Sequence, residues 1–360
     1  MKNSATEIHI SDVRTFRQCR RKWGWSSALK RNLEPYITYP PFFTGRGIHE
    51  ALERYYRDGV DIIAAFVDFV SAETALMKEQ GALWPQEEDT LEEQITLAFG
   101  VLHHYRAWQA QDTKKYSDRN LKFLELEYPF NVPFTLPSGR NSRKLTIAGR
   151  LDGLVYNTLT DEYWIWETKT ARSVQQLVDS LGNDEQSALY MYAAQKIFKH
   201  PIAGVLYNVM RKKIPVHPRI LQSELLSKSA IDTTAFMYRA DIAEQHPDWQ
   251  EDTIQEFYGD ILAKLEENET KYFIRWPVHK SSAQIKIVMD GIYATAMEML
   301  NPKTVLYPSP NWMQCNFCNF KSPCLTMSMG GDYEVLLREE YRERIPNINE
   351  FERDKEMNDD

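Results

Sequence analysis

Two groups of residues in this sequence have the types and spacing to do chemistry. In YWIWETK, read as a strand, period-two alternation puts Tyr163, Ile165, Glu167 and Lys169 on one face, and Trp164, Trp166 and Thr168 on the other. The preceding run, LTIAGRLDGLVYN, carries Asp152 and is joined to it by a short Asn/Thr/Asp turn, so a hairpin could bring both carboxylates within reach of one hard cation such as Mg²⁺. Two carboxylates and a neighbouring amine can stabilise charge on phosphoryl oxygens and activate a water, the needs of phosphodiester hydrolysis. On these three residues alone, an ordinary surface hairpin with a Glu–Lys pair is the better explanation of the pattern.

The second group is the cysteines. Cys19 stands alone near the start, while Cys315, Cys318 and Cys324 crowd into CNFCNFKSPC, and these are all four in the chain. In a reducing compartment such a set is read as metal or cluster ligation before disulfides. Cys19 suits an apolar helix face, but the polar loop around the other three does not suit a core segment. Spacing leaves a four-thiolate zinc and a four-thiolate iron–sulfur cluster both open.

The elements that must position these groups can be sketched from pattern. After Ser11 and Asp12, both good N-cap residues, Phe16, Cys19 and Trp23 recur at helical spacing, with Arg14, Arg17 and Arg21 on another face. A second helix runs through His49 and Glu53, followed at 57–120 by a helical insertion with an acidic middle. Residues 121–220 form the core: three aromatic and β-branched strands, a helix from Asp184 to Phe198 and a buried strand at 203–210. Residues 221–300 read as mostly helical, 301–330 as the cysteine segment, and 331–360 as a polar tail, partly disordered. The expectation is one α/β domain over 1–330, with a mixed central sheet flanked by helices.

With 360 residues, 43% of them hydrophobic, the chain can fill a sizeable core. The 43 basic against 51 acidic side chains give a net charge of −8, which argues against a surface that coats nucleic acid throughout. Nucleic-acid contact would have to come from local patches, of which two stand out: Arg14, Arg17, Arg21 and Lys22 with Trp23 and Trp25 interleaved, and Arg211, Lys212 and Lys213. No stretch approaches the roughly 18 apolar residues of a membrane span, and the N-terminus lacks the layout of a signal peptide, so a cytoplasmic location with no membrane contact is expected.

GRLDG followed by WETK resembles the core of the PD-(D/E)xK nuclease superfamily. TGRGIHEALERYY, containing His49, and QSALYMYA, containing Gln186 and Tyr190, resemble the histidine helix and the Q-x-x-x-Y helix of its RecB-like branch, in the same order. The resemblance implies a restriction-endonuclease-like fold in which Asp152, Glu167 and His49 bind the metal, Lys169 assists the attacking water, and Gln186 and Tyr190 position DNA or the lysine. An imidazole beside two carboxylates suits Mn²⁺ as well as Mg²⁺. One cysteine before the core and three after it is similar to the CRISPR-associated and AddB-like members, which implies a [4Fe–4S] cluster in preference to zinc. Leu151 stands where the superfamily's nominal proline would be. The function implied is hydrolysis of DNA ends or single strands, with protein partners in recombination or replication. The rival readings are a non-catalytic protein that binds DNA ends and a zinc-bearing interaction protein.

Overall fold

The computed structural model describes residues 5–36, 41–79, 85–136, 138–229, 231–267 and 269–344. Its frame is a six-stranded sheet: β1 (Thr6–Ile8), β3 (Leu121–Thr135), β4 (Asn141–Asn157), β5 (Glu162–Ala171), β6 (Ile202–Arg211) and β7 (Phe273–Val278). The order is β1-β4-β5-β6-β7, with β3 pairing β4. β3, β4 and β5 form the antiparallel meander that their alternating patterns imply. β6 then lies parallel to β5, which demands a crossover, supplied by α6 (Val174–Leu181) and α7 (Glu185–Ile197).

Helices cover both faces of the sheet. On one face α1 (Ile10–Gln18), α2 (Arg20–Ser26), α7 and α10 (Ser282–Leu300) bury Phe16, Trp23, Leu189 and Ile292 against Ile165, Val205 and Tyr207. On the other, α3 (Pro41–Asp58) lays Tyr56 against Phe123 and Trp166. The 57–120 segment, expected as an insertion, forms α4 (Ile62–Glu79) and α5 (Pro85–Gln111), which pack with α3 around Phe66, Leu102 and Tyr105 and reach Met210 and Phe273 of the sheet. Gly47 makes the α3–α4 approach possible: a Cβ there would sit 2.7 Å from the Phe66 ring and 2.8 Å from Phe69.

Three expectations need correction. The spacing of Phe16, Cys19 and Trp23 suggests one helix, but the chain breaks at Cys19, which is extended (φ −161°, ψ 110°) and separates α1 from α2. The 221–300 stretch contains α8 (Ala235–Gln245), α9 (Glu251–Glu267) and α10, yet also β7, whose antiparallel pairing extends the sheet beyond β6. The polar composition from 331 onward suggests a tail, but α11 (Tyr333–Glu339) and β8 (Tyr341–Glu343) are folded. β8 pairs with β2 (Leu33–Pro35), and Leu337 and Tyr341 are buried with Trp25 and Phe320. Tail residues 345–360 lie outside the described residues.

Candidate metal centre

The ladder between β4 and β5 runs from Asn157↔Glu162 to Gly153↔Trp166 and stops there. Asp152 and Glu167 are the next residue on each strand, so they stand where the strands part. The freed backbone N–H of Thr168 is taken by Asp152, which accepts it at Oδ2 over 2.8 Å. Burying that N–H without a partner would cost about 1–3 kcal/mol, so the bond fixes the carboxylate's position.

Helices approach this gap from both faces of the sheet. From one side, α3 brings His49, whose Nδ1 lies 3.5 Å from Asp152 Oδ2. From the other, α7 brings Gln186 and Tyr190. Asp184 caps α7, accepting the Gln186 N–H at 3.1 Å and the Tyr207 hydroxyl at 2.8 Å, and it pairs with Arg14 at 2.5 Å. Gln186 is thereby aimed: its Nε2 donates to Glu167 Oε1 at 3.1 Å and to the Tyr190 hydroxyl at 2.7 Å, while its Oε1 accepts from Lys169 Nζ at 3.1 Å. Lys169 also pairs with Glu167 Oε1.

Glu167 is 2% exposed, and its second oxygen, Oε2, has no hydrogen-bond partner. A buried carboxylate oxygen in that state is a donor for a cation, because leaving it unpaired is costly. Burial raises the pKa of both Asp152 and Glu167 above the ordinary carboxylate range, and Asp152 pushes Glu167 further. Burial lowers His49, favouring the neutral imidazole that a metal requires. Burial opposes the charge on Lys169, but Glu167 outweighs it and keeps the ammonium protonated. The donor set fits a divalent cation with mixed nitrogen and oxygen ligands.

The pattern of the sequence does not single out Glu127. It lies on β3, where its neighbours pair as Leu126↔Gly153 and Tyr128↔Leu151, which sets it beside Asp152. Ligand atoms of His49, Glu127 and Asp152 all lie within 4.8 Å of one another, and among the described residues this is the group of three or more potential ligands so gathered. The three line a cleft with Glu53, Tyr56 and Thr168. Burial, then Asp152, pushes the Glu127 carboxyl up to about 8. Only the β3–β4 register could have revealed this residue.

These shifts make stability depend on pH in a definite sense. Carboxyl groups whose folded pKa exceeds the unfolded value hold more protons in the native state, so stability is full at acidic pH and falls as pH rises toward 8. The cation replaces those protons. The metal-free protein is therefore expected to melt higher at pH 5.5 than at pH 8, and Mn²⁺ to raise the melting temperature more at pH 8. Scanning calorimetry at both values checks this; a metal-induced rise that is larger at pH 5.5 overturns it.

The cysteines also gather. Burial raises the Cys318 thiol, with Cys19 and Cys315 near enough to add to the rise, and Arg21 of α2 lies 3.4 Å from Cys324 Sγ. Cys318 and Cys324 pack beside Trp25 and Phe320, and no disulfide joins any of the four. The basic residues are mostly engaged. Arg17 pairs with Glu185 at 2.5 Å, and Arg211 and Lys213 share Asp232 at 2.5 and 2.6 Å. Lys22 and Lys212 have no carboxylate partner among the described residues.

No described helix is long and apolar enough to cross a membrane. A search of curated proteins returned no match. The sequence model of the PD-(D/E)XK nuclease superfamily matches residues 8–325, a span holding His49, Asp152, Glu167, Lys169, Gln186 and all four cysteines. With the acid pair at the strand split and the lysine beside it, the match shows that this chain belongs to the PD-(D/E)XK nuclease superfamily.

Proposed function

We propose that the chain is a metal-dependent DNA nuclease of the RecB-like branch, cutting DNA ends or single strands as an exonuclease in recombination, repair or processing. The observation that carries the reading is Glu167: one oxygen is tied down by Lys169 and Gln186, and the other is buried and unbonded beside Asp152 and His49. Asp152, Glu167 and His49 would hold Mg²⁺ or Mn²⁺. When bound, the ion supplies the Lewis acidity that phosphodiester hydrolysis needs. Lys169 keeps its positive charge at the edge of the carboxylates, ready to steady a phosphoryl oxygen. Gln186 fixes Glu167 and Lys169 relative to each other, and Tyr190 holds Gln186. The four cysteines would carry a [4Fe–4S] cluster, a thiolate set that their polar loop and their convergence support.

The test is an assay on end-labelled single- and double-stranded DNA with Mg²⁺, with Mn²⁺ and with chelator. Release of labelled nucleotides with either metal and none with chelator is expected; cleavage that persists in chelator, or its absence with both metals, overturns the reading.

For phosphate contact, the candidates remain Arg14, Arg17, Arg21, Lys22, Arg211, Lys212 and Lys213. Charges already neutralised by Asp184, Glu185 and Asp232 release fewer counterions from DNA. Replacing Lys22 and Lys212 by Ala is therefore expected to flatten the logarithmic salt dependence of DNA binding by about two, roughly one per lysine. Titrations of a labelled strand at several salt concentrations check it, and an unchanged slope moves the phosphate path elsewhere.

A further inference from the structure

We propose that the surface around Trp312 and Phe317, outside the metal centre, is a stacking platform that holds the unpaired bases of a single DNA strand. The inference rests on the nuclease reading above and names where that strand is held.

The first observation is which aromatic rings reach solvent. Trp23 and Trp25, the rings that the sequence interleaves with the basic residues of the N-terminal helices, are 0% and 7% exposed and pack inside the fold. No base can stack on them. Trp312 is 77% exposed, more than any other described tryptophan, and Phe317, at the end of the same short helix (Trp312–Asn316), is 76% exposed. Rings left in water this way gain stacking energy from any unpaired base, because every base has a π-face.

The second observation is charge. The chain carries 51 acidic side chains and a net charge of −8, yet residues 299–331 contain no acid at all, and their two charged side chains are Lys303 and Lys321. Lys321 Nζ donates to Asn316 Oδ1 at 3.4 Å, which sets an ammonium with no carboxylate partner among the described residues beside the helix that bears the rings. Lys22 of α2 lies near Cys318 in the same segment. An acidic protein repels a polyanion over most of its surface, so an acid-free face with free ammonium groups is where phosphates can settle.

The third observation is place. Arg14 of α1 reaches Gln186 of the metal centre at 3.4 Å, and Arg21 of α2 reaches the Cys324 carbonyl at 3.5 Å. The Arg21 backbone N–H also donates to the Tyr307 carbonyl at 3.0 Å. The basic α1–α2 corner therefore runs from the metal centre to the aromatic segment. A strand with its end at the metal has this corner as its path to Trp312 and Phe317.

The experiment measures binding of a labelled oligothymidylate strand and of a labelled blunt duplex to the full chain, purified anaerobically and dialysed free of Mg²⁺ and Mn²⁺ so that nothing is cut. Trp312→Ala and Phe317→Ala should each weaken binding of the strand by about tenfold. Trp312→Phe, which keeps a ring, should bind within about threefold of wild type, whereas Trp312→Leu, which keeps only apolar bulk, should be as weak as Trp312→Ala. The slope of strand affinity against salt should stay as in wild type, because stacking displaces no counterions, in contrast to the loss of Lys22 and Lys212. The blunt duplex, whose bases stack on one another, should lose less than the strand. Melting temperatures should match wild type, since both side chains are exposed. Alanine variants that bind the strand as tightly as wild type overturn the proposal and leave this face to a protein partner, and so does Trp312→Leu binding as tightly as Trp312→Phe. An equal loss for strand and duplex overturns the single-strand assignment. Cleavage is assayed separately with Mg²⁺ and Mn²⁺. Ring-dependent strand binding by a wild type that cuts nothing overturns the nuclease reading alone, and cutting by a wild type whose binding ignores the rings overturns this inference alone.

Discussion

Glu167→Gln is expected to lower kcat for DNA hydrolysis by about a thousandfold or more, equivalent to roughly 4 kcal/mol of transition-state stabilisation, with both Mg²⁺ and Mn²⁺. The substitution keeps the shape of the side chain but replaces one carboxylate oxygen with an amide nitrogen, which cannot ligate a cation. Folding should survive. Glu167 is 2% exposed, carries an unbonded oxygen and lies against Asp152, so the charge it brings is a burden on the metal-free protein. The metal-free variant should melt no lower than wild type, which separates loss of chemistry from loss of structure. Lys169→Ala should also lose activity by at least about a hundredfold, yet keep its Mn²⁺ affinity, since an ammonium at the edge of the site acts on the reaction and not on the ion. Substantial cleavage by Glu167→Gln with either metal would sink the assignment of the acid, and abolished Mn²⁺ binding by Lys169→Ala would sink that of the lysine.

How much of this site is legible in the sequence depends on whether a residue's place is set locally or by distant pairing. Glu167 and Lys169 share a strand, and period-two alternation is enough to put them on one face. Gln186 and Tyr190 are four apart on α7 and meet through that spacing, with their hydroxyl and amide 2.7 Å apart. Asp152 needs only a short hairpin. Glu127 needs more: β3 must pair with β4 in one register, and a slip by one residue would turn its side chain to the other face. Nothing in LELEYPF fixes that register.

The same division runs through the fold. Strands β3 to β6 are readable because they are long and strongly patterned, whereas β7, with six residues and Pro277 inside, takes its identity from the exposed edge of β6. The end-to-end contact of β2 with β8 is invisible locally, since each strand has three residues. The basic face of α1 is legible as basic, but its pairing with the acidic start of α7 is not. Arg14 and Arg17 reach Asp184 and Glu185, some 170 residues away in sequence, and so help to fix the helix that aims Gln186. A charge pattern read alone therefore overstates how much of that face is open to phosphate.

Cys19→Ser is expected to be as damaging as Cys318→Ser, although about three hundred residues separate them. The proposed cluster makes the four cysteines one unit. Cys19 sits at the break between α1 and α2, close enough to Cys318 to add to the rise that burial gives that thiol. Around it the two ends of the chain are already joined by β2–β8 pairing, by the double Arg31–Glu334 bond at 2.8 Å and by Trp25 packing on Phe320. The proposed cluster, binding all four thiolates, would close a loop of nearly the whole chain, a constraint on the unfolded state worth on the order of 5 kcal/mol in the chain-entropy picture. Losing it should lower the melting temperature by roughly 10 °C, and limited proteolysis should then open the 301–344 region first. Both serine variants should lose the brown colour and the approximately four irons per chain that anaerobically purified wild type is expected to show. Trp312, Phe317 and Met329 around the cysteines are 77%, 76% and 79% exposed, so the proposed cluster would add its constraint to the burial that Trp25, Phe320, Leu337 and Tyr341 already provide. Stoichiometric zinc with no iron or acid-labile sulfide in wild type would replace the cluster with a zinc site. A Cys19→Ser protein that keeps its full metal content and wild-type melting temperature would show that the N-terminal cysteine is no part of the staple.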